Sequence, residues 1–229
     1  MKFPSKLAST LALLGLGGCA SLSSYQEARV LQKGEARIGI GGSYYNDDLK
    51  RTVFNDTGTG TTYPVINVSG RLGVWNNLEI GVLYAIPGAI DADLKYQLLG
   101  RDSASDWQLS TGLKGGYANL EVDDSSGNSK VEVPVVDLTV PVYLGWTPTP
   151  WMGLTVTPQF TYRISDNETF YPHGPIAGAN VDMRLGKEFS LVGEFGYHRH
   201  LTKDYSLINY GAVFQFPVHL ESVFKMVGL

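Results

Sequence analysis

Tyr197-His198-Arg199-His200 carries two imidazoles at i and i+2, the spacing that turns both side chains to one face of a β-strand. Asp204 follows closely, and the strand pattern described below brings Asp47 and Asp48 to the same end of the protein. An imidazole oriented by a carboxylate activates water as a general base, so this grouping has the residue types for hydrolysis at a rim. His-x-His also suits a metal, although His173 is the only other histidine expected near it. The plainer reading is a polar rim without catalysis or metal. A second grouping is larger: Glu79, Asp91, Asp93, Asp137, Asp182 and Glu194 against Arg37, Arg71, Lys95, Lys114, Arg163 and Arg184. Opposite charges away from bulk water are tolerable when paired and hydrogen-bonded, so this balanced set reads as a salt-bridged interior. A selective channel would carry an excess of one sign at its constriction. The chain has no P-loop, no GxGxxG following a strand and no CxxC pair, so no cofactor is expected.

The elements that position these charges are strands. From residue 35 to 217 apolar and polar residues alternate, as in Leu78-Glu79-Ile80-Gly81-Val82-Leu83-Tyr84 and Ile90-Asp91-Ala92-Asp93-Leu94. A period of two gives each strand one apolar and one polar face. The pattern predicts ten strands, near 35–45, 62–74, 78–86, 90–98, 106–119, 133–147, 152–163, 175–186, 189–199 and 205–217, with eight the alternative count. Short connections such as Trp75-Asn76-Asn77 and Pro148-Thr149-Pro150 alternate with longer polar ones at 46–61, 121–132 and 164–175. That is the rhythm of an all-β, closed, antiparallel, up-and-down barrel with turns at one end and loops at the other.

Which face points inward decides between water and membrane. One face carries Ile38, Ile40, Ile66, Val68, Ile80, Val82, Leu94, Leu113, Leu138, Val140, Val142, Val156, Phe160, Val181, Leu191 and Phe195. The other carries glycines beside the charged set. So many bulky apolar groups do not fit inside a narrow barrel, whereas the glycine-rich polar face does. Trp75, Trp107, Trp146 and Trp151 fall beside the short turns, and Tyr44, Tyr84, Tyr117, Tyr162 and Tyr197 near the opposite ends. Two aromatic belts around an aliphatic band are what membrane interfaces select. The expected structure is a transmembrane β-barrel over 35–217 with a salt-bridged, closed lumen, since an open aqueous channel usually takes about sixteen strands or more.

The N-terminus reads as a processing signal. Lys2 and Lys6 precede an apolar run, Leu7 to Leu16, too short to span a bilayer as a helix. It closes on Leu16-Gly17-Gly18-Cys19, which resembles a bacterial lipobox. The resemblance implies cleavage after Gly18, lipidation of Cys19 with a palmitate-type acyl set, and, from Ala20 and Ser21, an outer-membrane destination. Cys19 is the only cysteine, which excludes an internal disulfide. Residues 1–18 are then a removed signal peptide, 19–34 a lipidated N-terminal tether between lipid and barrel, and 218–229 a short periplasmic tail. In that tail Leu220, Val223, Phe224 and Val227 form a helical stripe. The formal charge of −4 is mild and no basic run is present, so nucleic acid is not an expected partner.

Ala28-Arg29-Val30-Leu31-Gln32-Lys33-Gly34-Glu35 opening onto Ile38-Gly39-Ile40-Gly41, and Arg71-Leu72-Gly73-Val74-Trp75-Asn76-Asn77-Leu78-Glu79-Ile80-Gly81, resemble the small outer-membrane β-barrel superfamily of OmpA-, OmpX- and OmpW-like proteins. The resemblance implies a Gram-negative outer membrane, both termini on the periplasmic side, and barrel-assembly and lipoprotein-processing machinery as partners along with outer-membrane lipid. An extracellular ligand is left unnamed. Phe216 followed by Pro217 and a tail to Leu229 departs from the terminal aromatic of such barrels. The outer-membrane protease family also has ten strands with Asp and His at the rim, but its paired-aspartate motif is missing here. A lipid A deacylase needs a serine beside its histidine, and Tyr197-His198-Arg199-His200 has none. The expected function is therefore non-enzymatic, structural or surface-interacting through the polar loops. A small transport barrel is the alternative, and a rim hydrolase using His198 and Asp204 the second.

Overall fold

Residues that alternate apolar and polar along one strand need partners on both edges, and in this protein the sheet supplies them by closing on itself. The computed structural model describes residues 22–47, 61–86, 88–100, 105–123, 130–166 and 171–219. They form ten antiparallel strands: β1 (Glu35–Asp47), β2 (Thr61–Trp75), β3 (Leu78–Ile86), β4 (Ala89–Leu99), β5 (Trp107–Asp123), β6 (Lys130–Thr149), β7 (Met152–Ser165), β8 (Gly174–Gly186), β9 (Ser190–His200) and β10 (Ser206–His219). Each pairs with its sequence neighbours, and β1 pairs with β10 from Glu35↔His219 to Asp47↔Leu207, which completes the barrel. No helix occurs among the described residues. Residues 1–21, with the expected signal peptide and Cys19, and also Asp48 and residues 220–229 lie outside them.

The apolar face is outside. Leu113 is 57% exposed and Phe214 61%, while Arg163 is 0% and Lys95 1%. All four tryptophans are exposed at the short-turn end. Tyr44, Tyr84, Tyr117, Tyr162 and Tyr197 are exposed toward the loop end, where Tyr210 joins them and stacks on Tyr44 at 5.5 Å. Such a wall is stable against acyl chains, with its rings at the headgroup level; in water it would be an exposed apolar surface far larger than monomers tolerate.

Two expectations change. The loop over 121–132 is largely strand: β5 and β6 stay in register out to Asp123↔Lys130, and only 124–129 is left to connect them. The pairing continues because Leu120↔Val133 and Val122↔Val131 keep the period of two past the point where the acidic residues suggested a loop. The second change concerns 19–34. Leu22, Ser23, Ser24, Tyr25, Gln26, Ala28, Val30 and Leu31 are all buried, so residues 22–31 of this segment lie within the lumen. It runs through the barrel.

Candidate functional site

The site is the lumen together with the strand-less segment that fills it. A chain in extended form leaves its own N–H and C=O groups unpaired, so a buried one must find partners on the walls. At the short-turn mouth Gly34 N–H donates to Gly73 O at 2.8 Å. Further in, Leu31 N–H donates to Glu79 Oε2 at 2.8 Å and Val30 N–H to Gln97 Oε1 at 3.1 Å. Lys95 Nζ donates to Glu27 O at 2.9 Å, Ser110 Oγ to Ala28 O, and Ala28 N–H to Thr155 Oγ1 at 3.3 Å. Higher still, Gln215 Nε2 donates to Tyr25 O at 2.8 Å, while Ser24 N–H and Tyr25 N–H both donate to Glu194 Oε2, at 2.6 and 3.0 Å. Lys114 Nζ reaches Ser23 O at 2.9 Å, and Gln159 and Asn180 hold Leu22 O at 3.1 and 2.8 Å. The Leu22 side chain ends in an apolar layer with Tyr45, Val65, Ala89, Ala118, Val133 and Leu207, all at the loop ends of their strands.

Tyr25 shows how firmly the segment is pinned. Its φ is 44°, in the left-handed region that few tyrosines occupy and that costs roughly 1–3 kcal/mol. Wall side chains meet both its backbone groups, and its hydroxyl lies 3.5 Å from Asn67 Nδ2. Glycine makes the room. A Cβ on Gly73 would fall 2.0 Å from Gln32 O, one on Gly145 2.5 Å from Ala28 Cβ, and one on Gly211 2.3 Å from the Tyr25 hydroxyl. Gly145→Val therefore forces the segment off the wall at a cost of roughly 1–3 kcal/mol. Limited trypsin digestion of the folded barrel checks this: the bond after Arg29 should be cut in the variant and spared in the parent.

The charged set comes together, but not as barrel charges pairing only among themselves. Arg71 binds Glu79 and, at 2.5 Å, Asp93; Lys95 lies 3.1 Å from Glu79 and Lys114 3.4 Å from Asp91. Arg163 grips Asp137 with Nε at 2.9 Å and Nη2 at 2.7 Å, a bidentate pair. Arg37 and Arg184 instead meet Glu27 of the threaded segment, at 2.6 and 3.0 Å. Asp182 and Glu194 stand opposite each other on β8 and β9, and the Ser24 hydroxyl lies 2.9 Å from both. Glu27, Ser24 and the wall amides Asn67, Gln97, Gln159, Asn180 and Gln215 are the members that sequence reasoning missed. A cavity of about 350 Å³ opens at the short-turn mouth, where Arg29, Arg37, Arg71, Lys95, Arg184 and Lys187 face it beside Glu27, Glu35 and Glu79, and the segment bounds it on the inner side.

The two histidines do face inward, each 1% exposed. Their partners differ from the expected carboxylates. His198 Nε2 lies 2.9 Å from Asn180 Oδ1 and its Nδ1 3.5 Å from Gln159 Nε2. His200 Nδ1 accepts from the backbone N–H groups of Thr202 and Lys203 at 3.3 and 3.2 Å, closing the turn after β9. Asp204 is exposed in that turn, and His173 bonds the exposed Tyr162 hydroxyl at 3.1 Å. An imidazole held by amides lacks the carboxylate that would orient and charge it as a general base. Among the described residues no group of His, Cys, Asp and Glu is arranged to hold a metal ion.

No family model and no curated protein sequence matches this chain. Solved structures do. The N-terminal β-barrel domain of Pseudomonas aeruginosa OprF is 11% identical over 81% of this chain and 100% of that one, with a TM-score of 0.39. The Yersinia pestis outer membrane protein Ail is 12% identical over 80% and 100%, with a TM-score of 0.37. The translocator domain of the autotransporter NalP from Neisseria meningitidis is 9% identical over 93% of each chain, with a TM-score of 0.45. These likenesses concern barrel architecture alone. By its own strand register, this chain is a closed ten-stranded antiparallel β-barrel filled by its N-terminal segment.

Proposed function

We propose that this protein is a non-enzymatic outer-membrane barrel of a Gram-negative bacterium, acylated at Cys19 and shut by residues 22–31. The observation that carries the reading is the run of wall hydrogen bonds along that segment, from Gly34 at the turn end to the Leu22 carbonyl at the middle of β7 and β8. A barrel sealed in this way serves as a membrane-embedded scaffold. Its polar loops are then the part that meets the surroundings, in an envelope-structural or surface-interaction role. Outer-membrane lipid, the barrel-assembly machinery and the lipoprotein-processing enzymes are its partners. A transport role is favoured by one observation, the cavity at the short-turn mouth, and requires the segment to leave the lumen.

Mass spectrometry of the mature N-terminus, with gel migration of unheated and heated outer-membrane fractions, tests the proposal. A diacylglyceryl Cys19 and a faster-running unheated band are expected. An unmodified N-terminus elsewhere removes the lipid, and recovery in the soluble fraction removes the membrane barrel.

A further inference from the structure

Opposite charges pair off inside the lumen, as Arg163 does with Asp137, but they do not balance at the short-turn mouth. Around the cavity of about 350 Å³, Arg71 and Lys95 are met by Glu79 and, for Arg71, by Asp93. Four cations remain, Arg29, Arg37, Arg184 and Lys187, against two carboxylates, Glu27 and Glu35. Glu27 is shared, with Arg37 Nη1 2.6 Å from its Oε1 and Arg184 Nε 3.0 Å from its Oε2. Glu35 Oε2 accepts from the Gln32 N–H at 2.9 Å, within its own turn. Among the described residues Arg29 donates only to the Ser105 carbonyl, at 3.2 Å, and neither it nor the exposed Lys187 pairs with a carboxylate. Glu188 follows Lys187 but does not line the cavity. Arg184 is 6% exposed, yet its Nη2 meets no acceptor among the described residues, and the same holds for Arg37 Nη2.

We propose that this mouth binds a phosphate-bearing ligand, held by Arg29, Lys187 and the Nη2 donors of Arg37 and Arg184. Guanidinium forks suit oxyanions, and Glu27 shows what this arginine pair accepts, an anion that gives one oxygen to each side chain. Four cations against two carboxylates leave an excess of two charges, which a phosphate monoester, about −1.5 to −2 at pH 7, neutralises. The volume falls within the roughly 300–1,000 Å³ of small-molecule sites. Val30 and Leu31 line the cavity on its inner side, so the ligand rests on the segment instead of passing it. Bound there, it bridges Arg29 of the segment to Arg37 on β1 and Arg184 on β8, and so holds the segment in the lumen. Short turns mark the periplasmic end of such barrels, which makes the ligand a free phosphate compound of the periplasm or a lipid headgroup of the periplasmic leaflet. Only that choice of side rests on the outer-membrane reading above; the site rests on its residues.

NMR of the arginine side chains tests the site in the full-length chain, held in maltoside micelles that carry no phosphate. The result is therefore independent of where the barrel resides in the cell. Inorganic phosphate is titrated beside sodium chloride at equal ionic strength. Saturable shifts of the Arg29 and Arg184 Nε–H resonances with phosphate, absent with chloride, are expected. Arg29→Gln and Lys187→Gln should each weaken phosphate binding about tenfold, the scale of one charge-assisted hydrogen bond, while Lys203→Gln at the loop end leaves it unchanged. Lys187 is exposed in the β8–β9 turn, so its variant keeps the test open should Arg29→Gln fail to fold. Phosphatidic acid added in place of inorganic phosphate separates the two sources. The same shifts identify a headgroup ligand, and their absence while inorganic phosphate still binds identifies a soluble one. Equal shifts with chloride, or a phosphate affinity untouched by both variants, mean an adventitious ion only and overturn the proposal, as does the absence of saturable shifts with either phosphate source.

Discussion

Deleting residues 22–31 should turn a silent barrel into a conducting one. In planar bilayers the parent is expected to give no steady current steps, and the deletion variant discrete openings. The barrel itself should survive, because its strand pairing is continuous without the segment, from β1↔β10 around to β1↔β2. What changes is the axis of the lumen. Glu79, Gln97, Ser110, Gln159 and Asn180 lose the backbone groups they now bind, and Arg37 and Arg184 lose Glu27. Water is the only replacement available, and a continuous water column carries ions. Equal silence of parent and variant would mean that the wall network alone seals the barrel. Equal conductance would mean that the segment does not fill the lumen.

Asp137→Ala should destabilise the barrel by about 3–5 kcal/mol, because it strips a fully buried guanidinium of its bidentate partner. Replacing both partners with apolar groups of similar size, Asp137→Leu with Arg163→Met, should recover most of that loss. Urea midpoints of the heat-modifiable band in lipid vesicles, read as a double-mutant cycle, check both statements. The asymmetry is the informative part. A dry lumen penalises the charge stripped of Asp137, while a wet one solvates it, and a cost below about 1 kcal/mol for Asp137→Ala would contradict a dry surrounding for that pair.

The strands were legible in sequence because alternation is local. Leu78-Glu79-Ile80-Gly81-Val82 carries its own register, and β3 has the span expected of it, Leu78–Ile86. The inward direction of the charged set was legible for the same reason. Pairing was not, since Arg71 on β2 reaches Glu79 on β3 and Asp93 on β4 only through the stagger of the closed sheet. The hairpin beyond Ala118 was hidden by Asp123, Asp124 and Ser125, residue types that usually mark a loop. The histidines faced inward as expected, but Asp204 sits in an exposed turn and two amides take its place.

The threaded segment is the larger omission, and it has a physical reason. Leu22 to Gln32 makes no ladder, so it has no period to detect; its partners are side chains from six or more strands, brought together only by closure. One trace of it was present. Gly73, Gly145 and Gly211 face a lumen wider than glycine can fill, and that deficit of volume required an occupant.

Amide hydrogen exchange across residues 22–33, measured on the full chain in lipid nanodiscs, tests the occupied lumen most directly. The N–H groups of Ser24, Tyr25, Ala28, Val30 and Leu31 all donate to buried wall side chains, so their exchange should be as slow as that of β7 or β9. Exchange of these five amides at the rate of an unstructured peptide, with the strands still protected, would contradict a lumen filled by its own N-terminal chain.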